Sequence, residues 1–415
     1  MKKKVILIGL GYIGLPTATF FAKSGADVVG VDINPKTVET VNRGENPIFE
    51  PELDKMVKEV VEGKKLHATV TPEEGDVFII AVPTPFKENH EPDISFVINA
   101  TNSIAGVIKK GNVIVLESTS PVGTTEIIAK QLQSLRPDLK IPTNENEEGD
   151  VFIAYCPERM IPGNVYELVK NDRIIGGINQ KSSEETKKVY ELISKGELIC
   201  TNSKTAEMSK LTENSFRDVN IAFANELSII CDKLDINVFE LIKLANHHPR
   251  VNILTPGCGV GGHCIAVDPW FIIKKTPDQA HLLETARQIN DYKPKFILNK
   301  VAEKIDELIA SGKSLKEIKI SCLGLSFKPN IDDLRESPAI KIASELSKKY
   351  EHQVISVEPH IKNLPEQYKN SGIELGNLEN ALDADIIVPL VKHKEFIEID
   401  FSDKKEKLVD YIGLV

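Results

Sequence analysis

A short apolar run, Val5-Ile-Leu-Ile8, leads straight into Gly9-Leu-Gly-Tyr-Ile-Gly14, and a second run, Asp27-Val-Val-Gly-Val31, ends on Asp32. No other feature of the chain narrows its fold so far. A G-x-G-x-x-G alone is a weak signal; here it follows a strand, opens a helix, and has an acid at the end of the next strand. In that setting Gly9, Gly11 and Gly14 allow a tight turn and let the backbone approach a pyrophosphate at the helix N-terminus. Asp32 is placed to accept hydrogen bonds from an adenosine ribose. A carboxylate there repels a 2'-phosphate, and no arginine follows at once, so NAD is expected over NADP. A tight turn that serves no ligand is the competing reading.

The same rhythm continues. Val77–Val82 and Val113–Leu116 read as further buried parallel strands, and Pro35–Arg43 as a helix between strands. From about Thr205 to Ile309 β-branched runs give way to helical periodicity, led by one long helix over about Thr205–Leu234. The last hundred residues repeat the opening theme: Ile318–Gly324 echoes Val5–Gly11, and Val354–Glu358 echoes Val28–Asp32, with an acid closing the second strand in both. Ala384–Val388 echoes Asp76–Ile80. The expected fold is therefore α/β, with two Rossmann-like doubly wound domains joined by a central helical region with one long helix. The division expected is 1–200 for a dinucleotide-binding domain, 201–309 for the central helical region and 310–415 for the second Rossmann-like domain.

With 51 basic against 61 acidic residues the net charge is −10, which argues against a nucleic-acid partner held by bulk charge. The apolar runs fall short of the roughly 18 residues of a membrane span. Met1–Leu10 has the basic and apolar parts of a signal peptide, but Gly9, Gly11, Gly14 and Pro16 interrupt it. Six scattered cysteines do not make a disulfide scaffold, so a cytoplasmic protein is expected.

Two segments carry chemistry. On the long helix Lys210, Asn214, Arg217 and Ile221 share one face. Met208, Leu211, Phe216, Val219, Phe223 and Leu227 wrap much of the cylinder, which predicts a largely buried helix holding the polar residues in a cleft. A solvated polar stripe is the alternative. After it comes Pro256-Gly-Cys-Gly-Val-Gly-Gly-His-Cys264, which cannot be helix. Gly261 and Gly262 give a substrate room to approach Cys264 as a nucleophile. The residues alone also allow an inert buried cysteine, or zinc held by Cys258, His263, Cys264 or His247-His248, although no standard zinc spacing is met and no metal is expected.

These stretches, with Ser118-Thr-Ser-Pro-Val-Gly-Thr124, Cys156-Pro-Glu-Arg159, Ala206-Glu-Met-Ser-Lys-Leu-Thr-Glu-Asn214 and Phe327-Lys328, resemble the nucleotide-sugar 6-dehydrogenases in order along almost the whole chain. The resemblance implies Cys264 as nucleophile, Lys210 as general acid/base, Asp268 as its partner in water and proton handling, and Glu158 in hydrolysis. It implies Arg159, Met160, Asn214, Arg217, His248, Arg250, Gly261, Phe327 and Lys328 at the substrate. Tyr12, Ile13, Asp32, Thr84, Thr119 and Arg335 join the glycines as cofactor contacts. Within the family, Pro256–Phe271 is similar to the branch acting on UDP-N-acetylmannosamine; the UDP-glucose branch more often carries Pro-Lys before the aspartate. Two departures appear: Cys258 stands where proline is usual, and Val409-Asp-Tyr-Ile-Gly413 lacks the basic residue that commonly precedes the glycine.

The activity implied by the resemblance is a four-electron oxidation of a sugar C6 alcohol to a carboxylate by a homodimer or homotetramer, with two NAD consumed. The partners implied are NAD and a UDP-sugar, with no nucleic acid and no membrane. Rival readings are a UDP-glucose or UDP-N-acetylglucosamine enzyme, a dehydrogenase that stops after one hydride transfer, and a module that only senses NAD.

Overall fold

The computed structural model describes residues 3–48, 50, 52–160, 164–262 and 264–415. They fall into two compact units: residues up to Glu213 with Trp270–Lys275, and Asn214–Pro269 with Thr276–Val415.

Among the described residues the first unit is built on eight strands: β1 (Lys4–Ile8), β2 (Asp27–Val31), β3 (Leu66–Thr69), β4 (Val77–Ile80), β5 (Val113–Leu116), β6 (Phe152–Tyr155), β7 (Arg173–Gly177) and β8 (Leu198–Asn202). Their order is β3-β2-β1-β4-β5-β6-β7-β8, parallel except between β6 and β7. Alternation along β1 explains why the sheet needs cover on both faces. Val5 and Leu7 join one buried cluster with the helix Gly14–Lys23, while Ile6 and Ile8 join another on the opposite face. The order turns at β1/β4, which places the loops after β1, β2, β4 and β5 at the carboxyl edge where doubly wound sheets bind ligands.

The second unit carries β9 (Ile320–Leu323), β10 (Val354–Val357) and β11 (Ile386–Pro389), all parallel in the order β10-β9-β11. This reproduces the β2-β1-β4 centre of the first sheet. The echo reaches single residues. Gly9 after β1 has φ 97° and donates its amide to Val31 O at 2.8 Å; Gly324 after β9 has φ 95° and donates to Val357 O at 2.8 Å.

Between the sheets in sequence run two long helices, Ser203–Lys233 and His281–Ala310. The first is the helix expected over about Thr205–Leu234, and its expected burial is corrected by the structure. Phe216 is 70% exposed, Phe223 52% and Ile230 45%, and Met208 is exposed too. Leu211 is buried and Val219 and Leu227 are half-buried. The face that packs inward carries Ser215, Asp218, Asn225 and Ser228. The second long helix supplies partners for the last three. Arg287 donates to Asp218 at 2.7 Å, Asn290 to Asp218 at 2.8 Å, Asn225 to Asn290 at 2.8 Å, and Lys293 to Ser228. Asp218, Asn225 and Ser228 can occupy that seam because each meets a partner there, while the Ser215 hydroxyl is buried without one among the described residues; the phenyl rings are left on the outer face.

Candidate active site

The cofactor side is assembled at the carboxyl edge of the first sheet. A Cβ on Gly9 would stand 2.4 Å from Ala81 O, and one on Gly14 would stand 1.8 Å from Gly9 O, so neither position accepts a side chain. At Gly11 a Cβ would meet nothing within 4 Å. The helix beginning at Gly14 has no side-chain cap at Ile13. Leu15 donates its amide to Gly11 O at 3.1 Å and Pro16 has no N–H, so it is the open space over Gly11, at the start of this helix, that fits the pyrophosphate of a dinucleotide. Tyr12 lies exposed beside it. Asp32 is held by two amides, Leu10 at 3.0 Å and Asn34 at 2.9 Å, and stays partly open to solvent. Thr84, after β4, donates to the carbonyl of Thr119, after β5, at 2.5 Å, so these two expected contacts are brought together.

Below that edge lies a buried ionic group that sequence reasoning missed. Arg173, the first residue of β7, pairs with Glu158 and, at 3.2 Å, with Glu117. Its guanidinium stacks over Tyr190 at 4.8 Å. Glu117 also accepts from Thr17 at 3.1 Å and Tyr190 at 3.2 Å. Burial pushes the Glu117 carboxyl up, and Arg173 opposes that rise. Glu158 Oε1 accepts the amides of Arg159 at 2.7 Å and Met160 at 2.8 Å. Its carboxylate thus fixes the loop after β6 that carries both expected substrate residues. Arg159 reaches Glu213 at 2.8 Å. The only sequence signal for Arg173 was a charge opening an otherwise apolar run.

In the second unit the Gly-rich loop is anchored at successive points. Asn225 accepts the Gly257 amide at 2.9 Å, and Cys258 donates to Leu390 O at 3.3 Å. Burial raises the Cys258 thiol to about 12, so it packs as an unreactive group in the place usually taken by proline. Gly262 donates to Arg335 O at 3.1 Å. A Cβ on Gly262 would come 2.8 Å from the Phe327 ring, and one on Gly261 2.6 Å from Glu336 O. Gly261, Gly262, Phe327 and Arg335 are therefore one packed group, with Cys264 exposed beside it. His263 lies outside the described residues. The carbonyl of Cys264 accepts the amides of Val267 at 3.1 Å and Asp268 at 2.8 Å, starting the helix Asp268–Lys275. Buried Asp268 receives the Asn214 amide group at 2.5 Å, which joins loop to long helix.

Arg217 is exposed on the long helix, and Lys210 is half-buried on it. His248 and Arg250 form their own exposed turn, where His248 Nδ1 accepts the Arg250 amide at 3.2 Å. Lys328 Nζ lies 5.8 Å from the Phe327 ring centre, and Arg335 pairs with Asp333 at 2.6 Å. At the divergent terminus Asp410 accepts the amides of Ile412 and Gly413, each at 2.9 Å, and Tyr411 donates to Asp232.

Comparison with known proteins finds relatives that match along nearly the whole chain. A UDP-N-acetyl-D-mannosamine dehydrogenase of Campylobacter jejuni is 57% identical over 405 residues, 97% of this chain and 98% of that protein. An NDP-N-acetyl-D-galactosaminuronic acid dehydrogenase of Ralstonia nicotianae is 52% identical over 409 residues, covering 98% and 95%. The structure of a UDP-D-ManNAc dehydrogenase from Pyrococcus horikoshii superposes with a TM-score of 0.87 at 37% identity, over 99% and 96% of the two chains. Residues 3–194 match the NAD binding domain, 204–292 the central domain and 321–412 the UDP binding domain of one family. The open glycine cradle falls in the first of these, the loop of Cys264 in the second and Phe327 in the third, and the chain belongs to the UDP-glucose/GDP-mannose dehydrogenase family.

Proposed function

We propose that the protein oxidises the C6 alcohol of UDP-N-acetyl-D-mannosamine to the uronate, using Cys264 to retain the intermediate aldehyde. The observation that carries the reading is the Gly261-Gly262 segment packed on Phe327, which leaves Cys264 exposed four residues before a buried, amide-bonded aspartate. The similarity to UDP-N-acetyl-D-mannosamine dehydrogenases supports the choice of sugar.

Bound NAD supplies the hydride acceptor in each of the two oxidations. It would be held by Gly9, Gly11, Tyr12, Ile13, Gly14 and Asp32, with Thr84, Thr119 and Arg335 as further contacts. Lys210 takes the proton of the C6 hydroxyl as the alcohol becomes an aldehyde. The Cys264 thiolate adds to that carbonyl carbon, giving a thiohemiacetal whose oxygen takes up a proton. Loss of a second hydride and that proton leaves a thioester. Water then adds, the C–S bond breaks, and the products are the carboxylate and the Cys264 thiol. Asp268, fixed by Asn214, handles the water and its proton, while Glu158 keeps Arg159 and Met160 in place for this step. Arg159, Arg217, His248, Arg250, Gly261, Phe327 and Lys328 hold the sugar nucleotide. In this reading residues 1–200, 201–309 and 310–415 divide the work between NAD, catalytic loop and UDP-sugar.

We further place the protein in the cytoplasm as a homodimer or homotetramer, with no nucleic-acid or membrane partner. The exposed Phe216, Phe223 and Ile230, seven residues apart on one helix, support self-association. Among the described residues no helix is long and apolar enough to cross a membrane.

Specificity constants for UDP-N-acetylmannosamine, UDP-N-acetylglucosamine, UDP-N-acetylgalactosamine and UDP-glucose test the substrate. The first sugar should lead, and a clear preference for another overturns the assignment. Complete turnover should release about two NADH per sugar, as alcohol-to-acid chemistry requires. Cys264→Ala should form no acid while still binding NAD; acid formation at the parent rate places the nucleophile elsewhere.

A further inference from the structure

The loop that carries Phe327 and Lys328 is held from behind by a carboxylate and an imidazole for which the reaction above has no use. Glu358 follows β10, His393 precedes the helix Lys394–Ile397, and both side chains are fully buried. Glu358 Oε2 accepts the amides of Leu325 at 2.7 Å and Ser326 at 3.0 Å, and its Oε1 accepts that of His360 at 3.1 Å. Burial alone would raise this carboxyl, but the His393 ring and the amides outweigh burial and hold it below its ordinary value.

At the far end of the loop, the Asn330 amide donates to His393 Nδ1 at 2.9 Å. A backbone N–H can only donate, so the proton of the neutral ring sits on Nε2, 3.2 Å from Glu358 Oε2. The Ser326 hydroxyl lies 3.3 Å from that nitrogen and donates to the Lys328 carbonyl at 2.9 Å. The Lys394 amide donates to Asn330 Oδ1 at 3.0 Å. Both ends of 325–330 are thus tied to one buried pair, and the middle presents Phe327 to Gly262. A divalent cation is a poor alternative use of the cluster. His360, His393 and Glu395 bring ligand atoms within 4.8 Å of one another, yet both nitrogens of His393 are already engaged.

We propose that Glu358 and His393 are positioning residues for the dehydrogenation, fixing the Leu325–Asn330 loop so that Phe327 and Lys328 meet the sugar nucleotide beside the Cys264 loop. This rests on the reading of Phe327 and Lys328 as substrate residues. The chemistry required at position 358 is acceptance at both oxygens. A glutamine there would turn an N–H₂ group toward backbone N–H groups on one side or the other, so Glu358→Gln is not conservative.

Two variants separate the bonds of the imidazole. His393→Asn keeps an oxygen near Nδ1 for the Asn330 amide and loses the donor to Glu358. His393→Gln keeps a donor near Nε2 and loses the acceptor for Asn330. Each should raise KM for the UDP-sugar and weaken UDP binding by calorimetry about tenfold, with kcat within about threefold and KM for NAD unchanged. A merely structural defect lowers the amount of active enzyme and leaves both KM values in place. Ser326→Ala removes one oxygen from the same clamp and is the mild variant, expected to raise the UDP-sugar KM about threefold. Folded variants that keep the parent's UDP-sugar KM and UDP affinity overturn the proposal, as does an equal rise in KM for NAD. If either His393 variant does not fold, Ser326→Ala decides by the same criteria. A parent protein that oxidises no UDP-sugar would defeat the functional reading separately, and UDP calorimetry would still read the clamp.

Discussion

At the scale of single residues the structure concentrates its cost in buried charge. Arg173 serves two carboxylates, Glu117 and Glu158, with all three side chains buried. Removing one member of such a group leaves an uncompensated charge, so Arg173→Met should lower unfolding free energy by about 3–5 kcal/mol, read from urea denaturation. A loss under about 1 kcal/mol would mean that the carboxylates find other partners or take up protons. Lys293 makes a different case. Burial lowers its ammonium from the usual 10.5 to about 8, although it bonds Ser228 and lies 4.9 Å from the Phe296 ring centre. The folded chain releases this proton earlier than the unfolded chain does. The cost is therefore present in full below pH 8 and fades as pH rises from 8 toward 10.5. Lys293→Met should raise the denaturation midpoint at pH 7, and the advantage should shrink by pH 10. An advantage that is constant with pH would show that the residue is protonated throughout. Neither Arg173 nor Lys293 could be picked out beforehand, because their partners are distant in sequence and a charge in a run of letters carries no sign of its burial.

At the scale of elements, legibility followed the kind of constraint. Gly9 and Gly14 were readable because steric exclusion acts on the backbone itself, whatever packs around it; a Cβ at either would strike a carbonyl oxygen. The strands β1, β2, β4 and β5 were readable because β-branched runs covered on both faces look alike in any doubly wound sheet. The long helix was misjudged for a physical reason. Its apolar residues mark a face that avoids water, but nothing in Phe216 or Phe223 says whether the same chain or another copy provides the cover. The inward face uses Asp218 and Asn225 instead, and their partners Arg287 and Asn290 lie more than sixty residues away. If the outer stripe is an interface, Phe223→Glu should reduce the mass measured by light scattering to that of a smaller species while far-ultraviolet dichroism is kept. An unchanged mass would assign the oligomer contact to another surface. The loop of Cys264 was half legible: Gly261 and Gly262 announced a close approach, expected to be that of a substrate, whereas Phe327 as an object approached became visible only in three dimensions.

At the scale of the whole chain two sheets share one design, down to the left-handed glycine after their first strands, and yet the acid that follows the second strand has met different fates. Asp32 accepts two local amides and keeps part of its surface in solvent. Glu358 is enclosed, and its oxygens are taken by three amides and an imidazole. A ribose diol needs a free carboxylate edge to recognise, and only the first sheet offers one. Titration calorimetry should accordingly count one NAD per chain, and a count of two would contradict this. Because NADH would occupy that same single seat, product accumulated after the first oxidation must leave before the second can begin. On the proposed route, dinucleotide exchange with the half-oxidised sugar held on Cys264 would then be an obligatory event within every turnover.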